Sequence, residues 1–159
     1  MFQGNLRNIY IDEGDFENAR RVARTAANLG NPAMMLYTGL DCHENGNFED
    51  AFTWFTKAAA LGQSESIAEL ADYYYHFYDA KELRSTIPYD PVKAIGLYRR
   101  AATKNFSDAG YTALQAAFGY IFHIGHLPLD WGLIADLTHM AATKERFMFA
   151  LPYIGYMRI

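Results

Sequence analysis

The sequence predicts an all-α fold, an α-α superhelix of about four helix–turn–helix repeats. Three observations predict it. An apolar stripe with helical offsets recurs four times, each copy opens on Asp or Asn, and a helix-patterned segment fills the gap before each copy. The copies begin at Asp15, Asn47, Asp90 and Asp130. Helices alternating at such a period cannot bury their apolar faces singly and stack into a solenoid.

The first segment, 3–13, is the opening A-type helix, and Asp15 begins the first B-type helix. Its stripe runs through Ala19, Val22, Ala23, Ala26 and Ala27, and Gly30 stands where a left-handed residue ends a helix. The second A helix covers 33–44. The second B helix runs from Asn47 through Ala51, Trp54, Phe55, Ala58 and Ala59 to Gly62. The third A helix covers 65–79, and its B helix follows from Asp90 through Ala94, Leu97, Tyr98, Ala101 and Ala102 to Asn105. The fourth pair is 108–124 and the stripe Ile134, Leu137, Thr138, Ala141, Ala142 after Asp130, where Glu145 replaces the closing Gly or Asn. Asp or Asn at each start is an N-cap, whose side-chain oxygen takes an orphan N–H of the first turn. The late alanines let neighbouring helices approach closely. A last apolar segment, 146–157, reads as a further A-type helix bent at Pro152. The organisation expected is one domain over 1–159, with repeats at 2–30, 31–62, 63–105 and 106–145 and a C-terminal helix at 146–159.

Composition narrows the function. At 159 residues, 51% hydrophobic and 20% charged, the chain is globular and long enough to bury a core. Net charge is −4, which disfavours nucleic acid and anionic membranes as partners. The Arg20, Arg21, Arg24 cluster and the Arg99, Arg100 pair read as solvated helix faces. A single cysteine, Cys42, allows no intrachain disulfide. The N-terminus lacks signal-peptide pattern and no apolar run is long enough to span a membrane, so the expected location is cytoplasmic.

The repeated residues resemble the Sel-one-like repeat (SLR) family, relatives of the tetratricopeptide repeat. The B pattern Asp-x-x-x-Ala-x-x-Trp-Phe-x-x-Ala-Ala-x-x-Gly is matched best from Asn47 to Gly62. Phe118, Gly119, Phe122 and Gly125 follow the family's A-helix spacing, with Leu127, Pro128 and Asp130 as its loop. Ile87, Pro88 and Asp90 repeat the loop, and Leu70, Ala71 and Tyr74 echo the A helix. Tyr37 and His43 depart from the pattern, standing where glycines are usual, as does Leu137-Thr138 where an aromatic pair is common. The resemblance implies a right-handed solenoid whose A helices line a concave face on which partners dock. It also implies a scaffold, an adaptor or a stoichiometric inhibitor, with bacterial immunity-type proteins among short members.

No catalytic signature is present: neither a phosphate-cradling Gly-rich loop nor a nucleophile elbow. Cys42 and His43 are neighbours in sequence, but in a helix they point about 100° apart. His123 and His126 would need further ligands, from His76 or His139, to hold a metal. Asp41 with Glu44 and Asp12 with Glu13 read as a solvated acidic rim, suited to steering a basic partner. The expectation is therefore no enzyme, no cofactor and no metal.

The candidate partner surface has three parts. In the run Tyr73 to Tyr78, the stripe Leu70, Ala71, Tyr74, Phe77, Tyr78 points inward; Tyr73, Tyr75 and His76 then face a partner or are covered by a neighbouring repeat. The polar insertion 79–89 brings Lys81, Glu82 and Arg84. Tyr37, Asp41, Tyr120 and His123 lie on the A helices. The partner expected is another protein or peptide. The apolar segment 146–159 suggests homodimerisation or partner docking, with a folded-back cap as the alternative. A self-associating structural protein is the alternative, and an enzyme with an unrecognised His/Cys or metal site the second.

Overall fold

A computed structural model describes residues 2–75, 86–104, 109–122 and 130–145. Every regular element among them is an α-helix: α1 (Phe2–Asp12), α2 (Phe16–Asn28), α3 (Pro32–Glu44), α4 (Phe48–Ala60), α5 (Ser64–Tyr75), α6 (Pro91–Ala102), α7 (Ala109–Ile121) and α8 (Trp131–Glu145). The helices α2, α4, α6 and α8 each begin immediately after the predicted Asp or Asn. The chain separates into two compact units, 1–66 and 67–159.

In the first unit one turn is used four times. Gly14, Gly30, Gly46 and Gly62 recur at a constant interval, with φ of 76°, 92°, 77° and 83°. At Gly30, the Asn31 N–H donates to the Ala26 carbonyl at 3.1 Å and the Gly30 N–H to Ala27 at 3.0 Å. This crossed pair is a Schellman ending, which satisfies carbonyls that the helix leaves open. Asn31 then starts the next helix, its side chain accepting the Met34 N–H at 3.1 Å. The short turn Leu29-Gly30-Asn31 thus closes α2 and opens α3. A side chain at Gly30 would sit in the left-handed region that L-residues avoid. The same crossed bonds recur after α1, α3 and α4, to Tyr10 and Ile11, to Cys42 and His43, and to Ala58 and Ala59. Asp15 caps α2 through Asn18, whose side-chain and backbone N–H groups hold the Asp15 carboxyl below its usual range. Gln63 caps α5 by accepting from Ser66 N–H at 2.6 Å. Asn47 makes no side-chain cap bond.

Packing follows from small residues. Ala23, Ala26 and Ala27 of α2 meet Met34 and Met35 of α3 and Ala58 of α4, with Trp54 packed on their edge. Phe55 is fully buried, and Gly39 of α3 lies flat against it: a Cβ there would stand 2.6 Å from the ring. In the second unit Gly119 of α7 receives the Ile95 side chain of α6 in the same way. The alanine pairs 26–27, 58–59 and 101–102 are all buried, as are Ile134, Leu137 and Thr138 of α8. Thr138 spends its hydroxyl on the Ile134 carbonyl at 2.7 Å, which is how a polar group sits in that core.

The third A helix differs from expectation. On α5, Leu70, Ala71 and Tyr74 are buried as predicted, but Tyr73 is fully buried too. With Ser66 and Ile67 also buried, the covered arc spans about 160° at about 100° per residue. A single inward stripe is narrower, about 100°. Tyr73 falls on the edge of the wider arc, so it is core and not an exposed anchor.

Two glycines in helix interiors therefore have opposite fates. Gly39→Ala forces a Cβ into a buried ring and is expected to cost about 1–3 kcal/mol. Gly96→Ala, in α6 with nothing within 4 Å, is expected to gain about 0.5–1 kcal/mol. Urea unfolding of the two variants checks both signs.

Candidate functional site

The consecutive helices α1, α2 and α3 leave a groove of about 700 Å³ between them. Its floor comes from Ala19 and Ala23 of α2 and Thr38 of α3, all buried. Small residues keep that floor low, and longer side chains rise around it. Phe16, 59% exposed, and Tyr37, 38% exposed, supply aromatic walls. Four arginines line the groove: Arg7 of α1 and Arg20, Arg21 and Arg24 of α2.

Two of these arginines are held in place. The Arg7 guanidinium lies over the Tyr37 ring, 3.7 Å from its centroid. Arg20 Nε meets Asp41 Oδ1 at 2.6 Å. That pair is largely exposed and adds at most about 1 kcal/mol to stability; its effect is to fix α2 side chains against α3. The positive charge of Arg24 pulls on the Cys42 thiol.

Helices joined by so short a turn run antiparallel, so the groove has two ends. Glu17 and Phe16 at the start of α2 lie beside Glu44 at the end of α3. Arg24 and Tyr37 belong to the opposite end. Tyr37 and Asp41, both expected at a partner surface, are thus brought together. Arg20, Arg21 and Arg24, read from the sequence as merely solvated, line the same groove. Each alone sits on an exposed helix face; only pairing with α1 and α3 makes the groove.

A second aromatic group lies in the other unit. The Tyr98 hydroxyl donates to Asp72, and Tyr75 packs 6.5 Å from Tyr98 and 6.3 Å from Tyr89 between ring centroids. Lys93 donates to the Tyr74 hydroxyl at 2.8 Å and covers its ring. Burial first, and then the Asp72 charge, pushes the Tyr98 hydroxyl far up, so it is a proton donor at all ordinary pH. Burial likewise raises Tyr75 and Tyr111. Tyr75 is half-buried within this packing, and Tyr120 is half-buried on α7. His76, Lys81, Glu82, Arg84 and His123, with His126 and the segment 146–159, lie outside the described residues.

Nothing here has the electrostatics of a nucleophilic thiol. Burial pushes the Cys42 thiol up, against the opposing pull of Arg24, while Asp50 and Asp41 add to the rise. A reactive cysteine needs the reverse shift. Burial lowers His43, whose ring packs edge-on to Phe48 at 5.2 Å. No group of three or more His, Cys, Asp or Glu that could hold a metal occurs among the described residues. No helix among them is long and apolar enough to cross a membrane.

Comparison with known proteins agrees with this architecture. The Sel1 repeat model matches residues 23–63 and 64–106, more than half of the chain. A Sel1 repeat protein from Oxalobacter formigenes superposes with a TM-score of 0.77 at 21% identity, covering 95% of this chain and 59% of its own. A protective antigen of uropathogenic Escherichia coli with an SLR fold gives 0.55 at 14% identity, covering 98% of this chain and 48% of its own. The chain therefore spans less than two thirds of either. A search of curated proteins returns no match. The chain belongs to the Sel1 repeat family, and its fold is the all-α repeat solenoid that the sequence predicts. Sel1 repeats are in general protein–protein interaction modules.

The Cys42 environment has a direct consequence. Native protein at pH 8 should resist iodoacetamide over a period in which the urea-unfolded chain is fully alkylated. Rapid native alkylation, followed by mass spectrometry, would show a thiolate that this burial does not allow.

Proposed function

We propose that this chain is a non-catalytic interaction module that holds a protein partner in the groove between α1, α2 and α3. The observation that carries this reading is the groove itself: an apolar floor walled by two partly exposed aromatics and four arginines. Tyr and Arg are the residue types that most often anchor protein interfaces. The Arg7–Tyr37 stack and the Arg20–Asp41 pair hold their side chains before any partner arrives. Ordering such side chains on binding would otherwise cost about 0.5–1.5 kcal/mol each.

The form of use proposed is that of an adaptor or a stoichiometric inhibitor, the immunity-type inhibitor included. Its proposed location is the cytoplasm, which suits a chain with one cysteine. The raised Cys42 thiol, the lowered His43 and the engaged Asp41 weigh against acid–base or thiol chemistry at these residues.

Photo-crosslinking tests this placement. A benzoylphenylalanine is installed at Tyr37, and at exposed Thr53 of α4 as a control. Irradiation in cells should trap one protein in stoichiometric yield from position 37 and none from position 53. Trapping from 53 alone, or from neither, would contradict a partner seated in this groove.

A further inference from the structure

Resting on the groove as the partner site, we infer the chemistry of what enters it: an acidic segment of a protein, bearing Asp or Glu carboxylates beside an apolar side chain. The expectation from the sequence was the opposite, a basic partner steered by an acidic rim. The distribution of charge reverses it. The chain carries nine arginines and five lysines. The groove takes four of the arginines and none of the lysines.

That selection matters chemically. A guanidinium presents a planar fork of N–H donors that matches a carboxylate in two parallel hydrogen bonds, and an ammonium does not. Three carboxylates also line the groove: Glu17, Asp41 and Glu44. Asp41 is already neutralised by Arg20. Glu17 and Glu44 belong to the end where α2 starts and α3 finishes. Arg21 and Arg24 lie deeper along α2, and neither has a carboxylate within 4.0 Å among the described residues. The groove is therefore segregated, with guanidiniums that lack a carboxylate towards the Tyr37 end and exposed Phe16 with Ile11 at the other.

An incoming carboxylate seated on Arg21 and Arg24 gains charge-assisted hydrogen bonds there, and its neighbouring apolar side chain covers Phe16 and Ile11. A basic segment would instead bury its cations against Arg7, Arg21 and Arg24, a like-charge contact that rejects it. A long polyanion such as nucleic acid is disfavoured by Glu17 and Glu44 at the groove's end and by a net charge of −4.

The test is selection of short peptides from a displayed random library against the immobilised full chain, followed by NMR titration of a synthetic winner. Enrichment of Asp and Glu around one aromatic or aliphatic residue is expected. The amides of residues 20–24 and 37–41 should then shift saturably, with affinity falling several-fold between about 50 and 300 mM salt. Arg21→Glu should weaken binding at least about tenfold, Arg21→Gln less, and the control Arg99→Glu, an equal charge change on an exposed residue of α6, should leave it unaltered. Circular dichroism confirms that each variant folds. Enrichment of Lys and Arg, or indifference to Arg21→Glu, overturns the acidic chemistry. So does preference for a single-stranded oligonucleotide, or a groove occupied by a second copy of the chain. Any of these, with Tyr37 still trapping its partner, leaves the groove reading intact. Loss of trapping at Tyr37 is the separate failure of that reading.

Discussion

The left-handed glycine followed by a capping residue is the constraint on which the first unit depends. A helix ends with open carbonyls and begins with open amides, and both sets must find partners wherever the chain turns back. At Gly30–Asn31 the crossed bonds to Ala26 and Ala27 serve the outgoing helix, and the Asn31 side chain serves the incoming one. No loop remains to be ordered. Because the glycine turn with its crossed backbone bonds recurs at a constant interval, with a side-chain cap at each but Asn47, successive helices keep nearly equal length and meet in the same register. The groove is a consequence: α1, α2 and α3 are placed side by side by two such turns.

Close approach then depends on what the helices lack. Gly39 gives up a side chain so that the Phe55 ring can lie on the α3 backbone, and Gly119 does the same for Ile95. A fully buried Phe contributes roughly 1.5–3 kcal/mol through the apolar surface it hides. The alanine pairs late in α2, α4 and α6 extend the principle, exchanging side-chain bulk for helix proximity. The tyrosines play the complementary part in the second unit. Tyr98 is buried almost completely, yet its hydroxyl is satisfied by Asp72, so it fills volume without stranding a polar atom.

Much of this was legible in the residues. Asp15, Asn47, Asp90 and Asp130 mark their helix starts because the start of a helix is a local feature, written in one residue and the first turn that follows it. Gly30 and Gly62 are legible for the same reason. Gly39 was not, since an isolated glycine within a helical pattern signals some packing need without naming Phe55. The sequence leaves Tyr73 open between a partner surface and cover by a neighbouring repeat, because one helix in isolation offers no means of telling a narrow buried stripe from a wide one. The groove was only half legible. Tyr37 and Asp41 stood out as aromatic and acidic on an A helix. Arg20, Arg21 and Arg24 looked solvated, and they are exposed. What the sequence does not carry is that Arg7, on the preceding helix, converges on them through the turn at Gly14.

The most direct test of the turn is its handedness. Gly30 is exposed and its φ of 92° is one that an L-residue avoids and a D-residue prefers. Cys42 provides a ligation junction, so a synthetic 1–41 segment carrying D-alanine at Gly30 can be joined to the remainder. The midpoint of urea unfolding is then compared for glycine, L-alanine and D-alanine at that position. L-alanine is expected to lower the midpoint and D-alanine to match or exceed glycine, because D-alanine narrows the unfolded ensemble without straining the turn. Equal midpoints for the two alanine epimers, or a lower one for D-alanine, would contradict this expectation.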